Sequence, residues 1–453
     1  MKSKILFFLT ISLITSALNA QSNKSKFILE IDAPYNKGQT AYLLNYWNEA
    51  TYISDSCQIS EQGKGLLQSK QSLPTGQYVL YIKPDVQLEM LLDEKDENVK
   101  ISVSKDILSS KIKGSKDTQI FWGYIKQIDT YNKDKKSSQD PELIDKRVND
   151  YTHKVISDNK GLWVSDFIKG ATPIVLPYTN PKDEKEAIEN SRYMKKHYFD
   201  HVPLTDPRLL RTNYFWSYLD NYLENWVSKD VDSLAQATTD LVARSMENQT
   251  CFEQILMRYL NKAINSKQMG MENVWAKLAE DYIFDKNYAK VDSTEITALR
   301  SQYELIKYNR IGMIAHGLRL ETLEGDTIQL HDVEAKYTIL YFYDPTCGHC
   351  LTETKSIQNN LYPKYKDKGL KIVTVNIHNN KEMWENYVKQ NNISDWINCA
   401  DPNHRSKYWI YYNTSGVPSA YVLDNDKKII AKGIDEKGLE QVFNYLYKED
   451  GTN

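Results

Sequence analysis

Cysteine is scarce in this chain: five residues, at positions 57, 251, 347, 350 and 399, among 453. So few cannot staple a protein of this length, which excludes a disulfide-built scaffold. Charge of one sign is not in surplus either. Lys and Arg number 57 against 60 Asp and Glu, a net charge of −3. That balance argues against nucleic acid or an anionic membrane surface as the main partner. Beyond the N-terminus no apolar run is long enough to span a bilayer. Internal repeats are absent, and there is no second C-x-x-C. What remains is an ordinary globular composition, 41% hydrophobic and 26% charged, with length enough for several domains. The 32 tyrosines are read as core and sheet packing.

The first residues are distinctive. Lys2 and Lys4 precede an apolar run from Ile5 to Leu18, and small residues follow up to Ala20, before Gln21. This is the pattern of a secretory signal peptide over 1–20, cleaved near Ala20. The run is short for a permanent membrane anchor. The expected location is the periplasm.

Three regions follow. Residues 25–106 read as β: Phe27, Leu29 and Ile31 alternate with other residues, as do Val99, Ile101 and Val103. Turn residues around Gly63 and Gly76 separate the runs, so a small antiparallel β-sandwich is expected. Residues 115–310 carry apolar residues at helical spacing and read as an all-α domain. There His197 and His201 lie four apart, but no third ligand is evident and Pro203 ends the helix, so no metal is expected. Residues 311–453 alternate strand and helix, which predicts an α/β sheet with helices on both faces. Strands are expected at 318–320, 326–330, 337–343, 370–377, 420–423 and 429–431, and helices at 381–390 and 436–447.

The chemistry concentrates at Cys347-Gly348-His349-Cys350. This pair follows a strand and opens a helix. Unpaired N–H groups and partial positive charge at a helix start favour a thiolate, and the thiolate is what attacks disulfides. Cys347 is therefore the expected nucleophile and Cys350 the thiol that resolves the mixed disulfide. His349 stands between them, where an imidazole stabilises a thiolate and makes the couple more oxidising. Glu353 falls on the same helical face as Cys350. It either relays a proton during resolution or is an exposed helix residue. Asp344 and Pro345 shape the turn before the pair. Zinc and haem readings fail, because no second ligand pair follows and Leu351 stands where haem attachment needs His. A peroxidase reading fails too, because Pro345 and Thr346 sit too close to Cys347.

With these motifs the C-terminal third resembles the TlpA/ResA-like thioredoxin family of exported disulfide oxidoreductases. The resemblance rests on 325–330 (GDTIQL), 339–343 (ILYFY), the Cys347–Cys350 motif and Gly416-Val417-Pro418. It implies a C-terminal thioredoxin-like fold in which Pro418 is a cis proline opposite the thiols. Val417 and Pro418 then form the surface where a substrate strand pairs. Glu353 matches the acidic residue one turn after the second cysteine. Two departures stand out: Thr346 replaces the usual aromatic residue, and Tyr341 replaces thioredoxin's buried acid. Cys399 lies in an insert, Trp396 to Tyr412, and reads as a buried core cysteine or a third redox thiol. The two upstream regions resemble, more loosely, domains that precede such folds in Bacteroidota envelope proteins.

The function expected is therefore an exported thiol–disulfide oxidoreductase without a cofactor. Its partners would be protein thiols or disulfides of the cell envelope and a membrane or periplasmic redox partner. The competing reading is a docking module, in which the thioredoxin fold serves only as a recognition platform for envelope proteins.

Overall fold

The computed structural model describes residues 26–137 and 140–449. The expected signal peptide lies outside them.

Among the described residues eight strands come first: β1 (Phe27–Asp32), β2 (Thr40–Trp47), β3 (Ala50–Gln58), β4 (Lys64–Ser69), β5 (Gly76–Ile82), β6 (Val86–Leu92), β7 (Asn98–Ser102) and β8 (Lys111–Lys113). They form two four-stranded sheets, ordered β4-β1-β7-β8 and β3-β2-β5-β6. Alternation decides which side faces in. Phe27, Leu29 and Ile31 join Val99 and Ile101 in one core with Leu43, Leu80 and Met90 of the other sheet. One pairing departs from a purely antiparallel sandwich. β1 and β7 run parallel, with Leu29 opposite Val99, so that sheet is mixed.

Among the described residues nine α-helices follow: α1 (Lys116–Ser137), α2 (Pro141–Asp158), α3 (Trp163–Ala171), α4 (Glu184–His197), α5 (Phe215–Asn225), α6 (Val231–Arg244), α7 (Gln249–Ile264), α8 (Met271–Ala279) and α9 (Ser293–Ile306). α1 is fastened to β6 by side chains that take up its backbone carbonyls. Thr118 Oγ1 donates to Leu91 O at 2.7 Å and Trp122 Nε1 to Glu89 O at 2.7 Å. α4 ends at His197, which faces Asp200 at 2.7 Å, while His201 lies 3.1 Å from Thr172 O. The two histidines therefore do not share a helical face.

The last region contains β9 (Arg319–Thr322), β10 (Thr327–Gln329), β11 (Tyr337–Tyr343), α10 (Gly348–Ser356), α11 (Tyr362–Tyr365), β12 (Leu370–Asn376), α12 (Lys381–Gln390), β13 (Ile397–Ala400), α13 (Tyr408–Tyr411), β14 (Ser419–Leu423), β15 (Ile429–Lys432) and α14 (Glu436–Glu449). They make one mixed seven-stranded sheet in the order β10-β9-β13-β12-β11-β14-β15. All seven residues of β11 are buried, because both sides of the central strand are covered. Tyr337, Ile339, Tyr341 and Tyr343 face one core, shared with α10, α12 and α14. Leu340 and Phe342 face the other, which Tyr408 and Tyr412 at α13 and residues from Ala315 to Leu320 close. The long helices thus gather on one face, and the other carries a short helix and connecting chain.

β13 was not anticipated. Its Cys399 pairs with Val375 of β12 and Thr322 of β9, buried in the second core. By contact the described residues group into two compact units. One contains both four-stranded sheets and the chain through Lys229, with Asp240–Ile255. The other contains Asp230–Thr239 and the chain from Leu256 onward, so α8 and α9 group with the seven-stranded sheet. No described helix is long and apolar enough to cross a membrane.

Candidate active site

β11 delivers the chain to the end of a central strand of the sheet, where a tight turn converts strand into helix. Asp344 builds the turn. Its carboxylate accepts from Thr346 N–H at 2.8 Å and from the Thr346 hydroxyl at 2.7 Å, and its carbonyl accepts from Cys347 N–H at 3.0 Å. Partial burial works against the Asp344 anion. The Thr346 hydrogen bonds and His378, 3.6 Å away, outweigh it and hold the carboxyl below its usual range.

Cys347 is the N-cap of α10, with extended backbone at φ −84° and ψ 116°. Its Sγ accepts from Cys350 N–H at 3.3 Å, the role a Ser or Asp oxygen commonly fills. The sulfur is half-buried, at the positive end of the helix. It also lies 3.6 Å from the carbonyl oxygen of Val417, and the Val417–Pro418 peptide is cis. Cys350, one turn on, is fully buried. Burial, reinforced by neighbouring Cys347, pushes its thiol up to about 12, although the backbone at Asp344 acts in the opposite direction. The two thiols are therefore unequal: one is capped and accessible, the other sequestered. His349 is exposed between them.

Below the pair runs a chain of hydroxyls that the motifs did not announce. Tyr341 Oη donates to Cys350 O at 3.5 Å and accepts from Thr354 Oγ1 at 3.2 Å, and Thr354 Oγ1 lies 2.7 Å from Tyr387 Oη. Burial raises Tyr341 far above its ordinary range, so it stays a neutral donor. The position that holds an acid in thioredoxin thus carries a neutral hydroxyl here. Thr354 follows Cys350 by one turn, the only sequence signal for this chain of bonds.

Glu353 is partly buried and lines a cavity of about 450 Å³ together with Tyr341 and Pro418. Burial first, then repulsion from Asp435 and Glu436, raises its carboxyl above the usual range, and the Glu436 backbone opposes the rise. Such a group exchanges protons closer to neutral pH than an exposed glutamate does. Cys399 is elsewhere: it packs with Leu340, Phe342 and Val375, while Cys350 packs with Tyr341 and Tyr343, so the sheet itself separates them. Burial pushes Cys399 up to about 12 as well, which suits an inert core thiol.

Known proteins resemble parts of this chain. A family model described as thioredoxin-like matches residues 334–429, and a model for a domain of unknown function (DUF5106) matches residues 132–309. The thiol-disulfide oxidoreductase ResA of Bacillus cereus is 32% identical over 139 residues, which span 31% of this chain and 78% of that protein. ResA of Bacillus anthracis is 30% identical over 139 residues, with the same coverage. Among solved structures, a domain of a possible thiol-disulfide isomerase from Cytophaga hutchinsonii shares 34% identity. It covers 32% of this chain and 97% of its own, with a TM-score of 0.29. A thioredoxin-like protein from Bacteroides caccae covers 60% of this chain and 96% of its own at 20% identity, with a TM-score of 0.41. On the strength of the ResA match, the chain belongs to the TlpA/ResA-like thioredoxin family of thiol-disulfide oxidoreductases.

Proposed function

We propose that this protein is exported and exchanges disulfides with proteins of the cell envelope through Cys347 and Cys350. The observation that carries the reading is the inequality of the two thiols: Cys347 capped and reachable beside the Val417 carbonyl, Cys350 buried one turn away. The Cys347 thiolate attacks one sulfur of a substrate disulfide. A mixed disulfide forms and the other substrate sulfur leaves as thiolate. Cys350, once deprotonated, attacks Cys347 Sγ and releases the second substrate thiolate. Two electrons pass from the pair to the substrate, protons end on the substrate thiols, and Cys347–Cys350 is left as a disulfide. The reverse sequence oxidises a dithiol.

Glu353 takes up the proton that Cys350 loses, and His349 stabilises the attacking thiolate. A substrate strand lies along Val417 and Pro418. Export rests on Lys2, Lys4 and the apolar run to Leu18. The test is to trap the intermediate. Full-length Cys350→Ser, expressed with its leader, should accumulate mixed disulfides with periplasmic proteins through Cys347, resolved by dithiothreitol. Absence of such adducts in periplasmic extract, with the protein present there and Cys347 alkylatable, would overturn the reading.

A further inference from the structure

The cavity beside Pro418 has a wall that does not come from the thioredoxin-like segment. Met269, just before α8, and Glu272, in its first turn, line it together with Glu353, Pro418, Lys432 and Asp435. All six belong to the compact unit that contains the seven-stranded sheet. The wall is fixed in place. Lys432 Nζ lies 3.1 Å from Glu272 Oε1 and donates to Asn309 O at 2.9 Å and Asn309 Oδ1 at 2.8 Å. Both ends of the Lys432–Glu272 pair are shielded, at 14% and 16% side-chain exposure. Asn273 Nδ2 also donates to Ile311 O at 2.8 Å, tying α8 to the start of the last region.

This arrangement sets what the cavity accepts. Two of the ammonium's three N–H donors go to Asn309 and its charge is already paired with Glu272, so Lys432 offers little net attraction to an incoming carboxylate. The other charged groups at the rim, Glu353 and Asp435, are acids that already repel each other. Met269 is 38% exposed and presents a flexible thioether that adapts to side chains of different shape.

We infer that Met269 and Glu272 make the helical region a substrate selector: the cavity receives the side chain next to the reactive cysteine of a polypeptide substrate, accepts neutral or basic residues, and rejects acidic ones. The inference rests on the exchange chemistry proposed above. It gives the helical region a place in recognition that the thioredoxin-like segment alone does not supply.

The test uses the full chain and three synthetic disulfide peptides identical except for Ala, Lys or Glu beside the cysteine. Wild type should turn over the Ala and Lys peptides with kcat/KM roughly tenfold above the Glu peptide, since repulsion and an unpaired acid act together. Raising the salt concentration should narrow the gap. Met269→Trp, which fills the cavity from an exposed position, should lower kcat/KM for the Ala and Lys peptides by about fivefold or more, through KM. Equal turnover of all three peptides by wild type overturns the inference and leaves the exchange reaction standing. So does a Met269→Trp protein that matches wild type on every peptide. Failure to turn over any peptide, or any small disulfide, overturns the exchange reading itself.

Discussion

β5 and β11 are both nearly sealed from solvent, yet only one leads to reactive groups. Six of seven β5 residues are buried, as are all seven of β11. What differs is the next element. β5 turns into β6 and pairs with it from Gly76↔Leu92 to Ile82↔Val86, so ladder bonds take up its backbone donors. β11 runs into α10, and the first helical turn leaves N–H groups without partners inside the helix. Cys347 Sγ takes one of them. Reactivity thus follows from the strand-to-helix junction and not from burial of the strand.

That contrast can be broken most severely at the thiol. Cys347→Ser should lower exchange with disulfide peptides by about a thousandfold or more, since no other accessible cysteine sits at a helix start. In β5 the equivalent damage is structural. Leu80→Ala should cost about 3 kcal/mol in chemical denaturation, while leaving the alkylation rate of Cys347 unchanged. Between these lies the tuning of the junction. His349→Pro should make the couple more reducing by roughly 30 mV, read by equilibration in glutathione buffers. A wild-type potential near or above about −180 mV would point to oxidising or isomerising partners, and one near about −270 mV to a reductase.

Cys350 sharpens the contrast through pH. Its thiol is pushed up to about 12, so its thiolate fraction grows about tenfold per pH unit below that value. Resolution of a preformed Cys347 mixed disulfide should therefore speed up across the alkaline range, followed in stopped flow. Glu353→Gln should remove any limb of that profile that comes from a carboxyl titrating above the usual glutamate range, because burial and its acidic neighbours raise Glu353. The smallest effect belongs to the turn: Asp344→Ala, which deletes two hydrogen bonds from Thr346, should cost about 1 kcal/mol in a urea titration.

Much of the last region was legible in sequence because its elements obey local rules. Tyr337–Tyr343 is a run of β-formers, and Lys381–Gln390 and Glu436–Glu449 have helical periodicity. β13 escaped because it is short and carries Asn398. That amide is satisfied internally, donating to Ile393 O at 2.7 Å and to Trp396 O at 3.1 Å, which lets a polar residue enter a buried strand. The parallel β1–β7 pairing also escaped. Turn signals link neighbouring strands and say nothing of strands paired across the whole sheet. At the site, the cysteines, Glu353, Val417 and Pro418 were all marked by motif. The hydroxyl chain through Tyr341, Thr354 and Tyr387 and the Lys432–Glu272 pair were not, because such contacts depend on packing between distant segments.

The sulfur cap at α10 has a thermodynamic consequence. Oxidation converts the Cys347 sulfur, the acceptor for Cys350 N–H in the reduced protein, into a disulfide sulfur, a weaker acceptor than a thiolate. Folding and redox state then close a thermodynamic cycle, because the cap bond differs between the reduced and oxidised forms. The gap in unfolding free energy between reduced and oxidised protein equals the shift in potential that folding imposes on the Cys347–Cys350 couple. Two melting curves, one on each redox form, would therefore report how strongly this fold drives its pair toward giving a disulfide away.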